Sequence, residues 1–118
     1  MDGVSVTDGG RAAMKAAVKA SLARLVEVAP GRSVEVRVPP YAVVQAVPGT
    51  THRRGTPPAI VETDAATWLA LVAGSLAWDD AVASGAVRAS GERSDLSPYL
   101  PLPPEATADA DDADDDEA

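Results

Sequence analysis

The stretch spanning residues 56–102, TPPAIVETDAATWLALVAGSLAWDDAVASGAVRASGERSDLSPYLPL, decides the fold. After Thr56 come Pro57-Pro58 and the run Ala59-Ile60-Val61-Glu62-Thr63, which reads as a strand because β-branched residues favour one and proline can begin a ladder but not continue it. At Asp64 the apolar period changes from two to about 3.6, and Ala65, Trp68, Leu69 and Val72 fall on one side of a helix that the Asp64 carboxylate caps. Gly74 suits the left-handed stop of that helix. Leu76-Ala77-Trp78 then leads to Asp79-Asp80, two acids suited to the positive first turn of a short second helix bearing Trp78, Ala81 and Val82. Gly85 ends it, Ala86 to Ser90 follows as a strand with Val87 and Ala89 on one face, and Gly91 turns the chain away.

Upstream of this stretch, Asp8-Gly9-Gly10 precede a helix in which Met14, Val18, Leu22, Leu25 and Val26 recur at three- and four-residue steps. Arg11, Lys15, Lys19 and Arg24 lie mostly on its other faces, so the apolar stripe packs on a neighbour. Ala29-Pro30-Gly31 stops the helix. Ser33 to Val38 then alternates, with three valines on one face and Glu35 and Arg37 on the other, as a half-buried strand does. After Pro39-Pro40, the run Tyr41 to Val47 is apolar on both faces except at Gln45 and reads as an inner strand, paired with its predecessor in an antiparallel hairpin. Pro48 to Pro58 is a loop carrying His52-Arg53-Arg54.

The chain of 118 residues has the length of one domain. With only Tyr41, Trp68, Trp78 and Tyr99 as aromatics and no Phe, its core must be built from Val, Leu and Ala. The net charge of −8 divides unevenly. Eight of the eighteen acids lie from Glu105 onward, leaving ten acids against ten Lys and Arg before it. The expected organisation is a flexible N-terminus at 1–10, a domain at 11–102 and a disordered acidic tail at 103–118, too poor in apolar surface to order itself. The balance of charge over residues 1–104 leaves no basic footprint for nucleic acid. Cysteine is absent, which excludes disulfides, thiolate nucleophiles and Cys-based zinc sites. No secretory leader and no transmembrane run is recognisable, which makes a cytoplasmic location the expectation.

The order of landmarks resembles the sterol carrier protein 2 family. There, a strand like Ala59 to Thr63 precedes a Thr-x-Leu helix ending in Gly, a small helix ending in Gly and a strand ending in Gly. The matching positions here are Thr67, Leu69, Leu71 and Gly74, then Leu76, Ala81 and Gly85, then Val87 to Ser90 and Gly91. The likeness runs from about Ala12 to Leu102 and is to the stand-alone bacterial, in particular actinobacterial, orthologue group. It implies an α/β (α+β) fold: one sheet of about four or five strands, largely antiparallel, covered on one face by helices. It further implies an apolar space between sheet and helices that accepts sterols, fatty acyl groups or acyl-CoA.

Against that frame, Trp68, Leu71, Val72, Trp78, Val82 and Leu100 are the candidate apolar lining, with ordinary core as the alternative for both tryptophans. His52, Arg53 and Arg54 are candidates for an anionic head group at the pocket mouth, with a solvated turn as the alternative. Arg88 reads as a surface or edge contact. Chemistry has little support: His52 is the sole histidine and no nucleophile elbow accompanies it. No resident cofactor or metal is expected, because the dense aspartates fall in the tail and lack an EF-hand's spacing. The chain ends Ser97-Pro98-Tyr99-Leu100-Pro101-Leu102-Pro103-Pro104 and then acid, where many sterol carrier domains continue with an apolar segment, and it lacks the Ser-Lys-Leu type peroxisomal ending. Two functions follow: a non-catalytic carrier of a lipid, fatty acyl or sterol-like ligand, or a non-catalytic module with a filled cavity that meets a protein partner. The second matches the use of this fold as an accessory domain in larger bacterial enzymes, such as those resembling mycothiol-dependent isomerases.

Overall fold

The computed structural model of the chain describes residues 8–49, 59–91 and 93–103. Within them the elements run α1 (Asp8–Val28), β1 (Val34–Val38), β2 (Ala42–Ala46), β3 (Ala59–Thr63), α2 (Ala65–Ala73), α3 (Trp78–Ser84), β4 (Val87–Ser90) and a 3-10 turn, Ser97–Tyr99. Helix α1 already takes in Asp8-Gly9-Gly10. The local signals act as read: Asp64 Oδ1 accepts from the Thr67 amide at 2.8 Å, and Gly74 and Gly85 close their helices at φ 86° and 83°.

The sheet has the order β2-β1-β3-β4. Strands β1 and β2 pair antiparallel, as do β3 and β4, whereas β1 and β3 lie parallel in the register Val36 to Val61. The run Tyr41 to Val47 is therefore an edge strand and not the inner strand its composition suggests. The reason is the crossover: β3 takes the free side of β1, which makes β1 central and leaves β2 with one neighbour. Side chains along β2 accordingly alternate, and Val43 stands 58% exposed. Val47, at φ 75°, ends the strand; its amide donates to the Ala29 carbonyl, and its carbonyl accepts from the Ser33 amide and hydroxyl.

Val34, Val36 and Val38 of β1, with Ala59 and Val61 of β3, bury the face on which the helices pack. Val18, Leu22 and Leu25 of α1 and Trp68 and Leu71 of α2 complete that core, joined by Leu96 from the C-terminal segment. On the opposite face Arg37 pairs with Glu35 and, at 3.8 Å, with Glu62, which also meets Arg88 at 3.5 Å. Burying each large apolar side chain contributes roughly 1.5–3 kcal/mol, against about 0–1 kcal/mol for an exposed ion pair. Apolar burial, not the charged ladder, therefore holds the sheet to the helices. No helix among the described residues is long and apolar enough to cross a membrane.

Candidate functional site

The chain makes a corner where α2 ends and α3 begins, and the C-terminal segment folds back across it. Gly74 permits the corner, because its left-handed φ is one that side-chain-bearing residues rarely adopt. It also permits close approach: a β-carbon at Gly74 would stand 3.3 Å from the ring of Pro101. The returning segment is held by the Leu102 amide, which donates to the Val72 carbonyl at 3.1 Å, and by the buried side chains of Leu96 and Leu102.

Between corner and returning segment lies a cleft of about 370 Å³. Leu71 of α2 and Trp78 of α3 form its buried base, at 1% and 8% exposure. Half-buried Leu76 and Leu100 line it with Ala77 and Pro101, and the exposed side chains of Asp79 and Ser97 add its polar part. Because most of these residues reach solvent, the cleft opens on the surface beside the core.

Three of the six residues singled out as apolar lining, Leu71, Trp78 and Leu100, meet in this cleft. Trp68, Val72 and Val82 are not in its walls. Trp68 is fully buried and donates its indole N–H to Ser21 Oγ at 2.8 Å. Val72 belongs to the core cluster, and Val82 is 39% exposed on α3. His52, Arg53 and Arg54 lie outside the described residues, as does the acidic tail from Pro104. Helical periodicity does not point to Leu76 and Ala77, which join the two helices, to the exposed Asp79 in the first turn of α3, or to Ser97 and Pro101 in the returning segment; the sequence signals there are Gly74 and the prolines from Pro98 onward.

A second cleft, of about 300 Å³, is lined by Pro39, Glu62, Thr63, Asp64, Gly85 and Arg88 among others. Its polar groups are largely spent on one another: Glu62 pairs with Arg88, Thr63 donates to the Ala86 carbonyl at 2.8 Å, and Asp64 caps α2. Arg88, on the edge strand β4, makes the surface contact its position suggests. Among the described residues no three His, Cys, Asp or Glu side chains converge to hold a metal ion.

No curated protein matches the chain. A family model described as bacterial SCP ortholog matches residues 10–102 of its 118, a span that contains every wall of the 370 Å³ cleft.

Proposed function

The chain belongs to the bacterial SCP ortholog family, and from that premise we propose that it binds an apolar ligand and performs no chemistry on it. The ligand is a single-chain lipid or fatty acyl species whose chain lies along the cleft over Leu71, Trp78 and Leu100. One observation carries this reading: an apolar base, part of the core yet reached from solvent, in a cleft of about 370 Å³. Small-molecule sites span roughly 300–1,000 Å³ and combine such apolar walls with a few polar groups. A flexible chain suits an open cleft at the low end of that range better than a rigid sterol does.

A second reading draws on a different observation. The space between the sheet and α1 and α2 is occupied by Leu22, Leu25, Val36, Val61 and Trp68, all fully buried, which favours a filled, non-catalytic module that meets a protein partner. Native mass spectrometry of the full chain, with single-chain amphiphiles of several head groups added in excess, separates the two. The carrier reading expects a one-to-one adduct that is lost on unfolding and weakened by Leu100→Ala. The absence of any adduct across the whole panel would overturn it and leave the module.

A further inference from the structure

We infer that the cleft selects its ligand by head group, taking a single-chain amphiphile with a cationic, hydrogen-bond-donating head, a primary ammonium, in preference to a carboxylate or phosphate. This rests on the apolar-ligand reading above and names the ligand class for the same site.

Among the described residues that line the cleft, Asp79 is the only one with an acidic or basic side chain. Asp79 is exposed and forms no ion pair among the described residues, so its carboxylate is available to a ligand. It lines the same cleft as Trp78, the aromatic base. A ligand whose chain lies on that base therefore has a carboxylate in the same walls to meet its head. Ser97 adds a hydroxyl oxygen that can accept a hydrogen bond from the same head.

The amides of the first turn of α3 work the other way, because a helix N-terminus attracts anions. That terminus is equivalent to roughly half a positive charge. Two full negative charges, Asp79 and Asp80, sit in the same turn. The carboxylates win, and an incoming carboxylate or phosphate meets like charge. Since Asp79 is exposed, screening limits the preference to roughly five- to tenfold at low ionic strength, falling as salt is added.

Calorimetric titration of the full chain with dodecylammonium and with dodecanoate, both below their micelle concentrations and at a pH where both heads are ionised, tests this directly. The chain's net charge of −8 attracts any cation, so Asp79→Asn is compared with Asp114→Asn, which removes the same charge from the acidic run. The expected result is tighter binding of dodecylammonium, a preference that falls below about twofold in Asp79→Asn and persists in Asp114→Asn. Equal affinities in the parent, or equal losses in the two variants, would overturn the head-group inference alone. Tighter binding of dodecanoate would overturn it too and return the head group to His52, Arg53 and Arg54. If neither amphiphile binds, the apolar-ligand reading fails and takes this inference with it.

Discussion

Trp68 donates its indole N–H to the hydroxyl of Ser21 at 2.8 Å, tying α2 to α1 across 47 residues of sequence. Ser21 in turn donates to the Val18 carbonyl at 2.9 Å, so its proton goes to the backbone and a lone pair is left for the indole. The largest fully buried side chain is thereby held with its one polar atom satisfied. That arrangement joins two helices; the tryptophan that lines the cleft is Trp78.

Removing the acceptor should expose the value of this bond. Ser21→Ala leaves a buried indole N–H without a partner, a defect of about 1–3 kcal/mol. In a Trp68→Phe background there is no N–H to orphan, so the same substitution should cost about 1 kcal/mol less. Urea denaturation of the two single variants and the double variant closes the cycle; equal costs in both backgrounds would show the bond to be energetically silent.

Two glycines with left-handed φ should respond differently to alanine. Gly31 has φ 150°, and a β-carbon there would stand 2.2 Å from the Val47 carbonyl oxygen, where backbone cannot yield easily. Gly85 has φ 83° with nothing within 4 Å. Gly85→Ala should therefore cost only the backbone term, about 1–2 kcal/mol, whereas Gly31→Ala adds a steric clash and should cost about 3 kcal/mol or more. Thermal melts of both variants check the order, and a Gly85→Ala as damaging as Gly31→Ala would contradict it.

The ladder on the other sheet face should matter little to stability. Glu62 stands between Arg37 and Arg88, but the Arg37 and Arg88 side chains are 41% and 78% exposed. Water and salt screen such pairs, so Glu62→Gln should cost less than about 1 kcal/mol, and that cost should shrink at high ionic strength. Denaturant midpoints at low and high salt measure both effects; a loss of several kcal/mol insensitive to salt would contradict the screened, solvent-exposed ladder.

Local chemistry makes much of this fold legible in the sequence. Asp64 before Ala65, and Gly74 and Gly85 after their apolar runs, mark helix ends by side-chain hydrogen bonding and backbone freedom, which act over a few residues. The alternating valines of β1 were equally readable, because burial of one face leaves a period of two. Strand order was not, since Tyr41 to Val47 is apolar for its own packing and nothing in it encodes that β3 will take the other side of β1. The cleft was half legible for the same reason. Leu71 and Trp78 sit on helical stripes, while Asp79, Ser97 and Pro101 come together only when the C-terminal segment folds back over Gly74.

Leu100 and Val82 offer a decisive comparison, because both are apolar candidates on the C-terminal half and only Leu100 lines the cleft. Truncating Leu100 to Ala removes three carbons from the wall, at about 0.8 kcal/mol for each buried methylene equivalent. Leu100 is only half-buried, which lowers the expected loss to about 1–2 kcal/mol of binding, or roughly five- to thirtyfold in affinity. Val82→Ala, on an exposed part of α3 outside the walls, should leave affinity within about twofold. Calorimetric titration of both variants with dodecylammonium gives the answer, with urea midpoints to confirm that each remains folded at the assay temperature. A loss confined to Leu100→Ala places the ligand in the cleft, whereas matching losses, or none in either, would move it elsewhere.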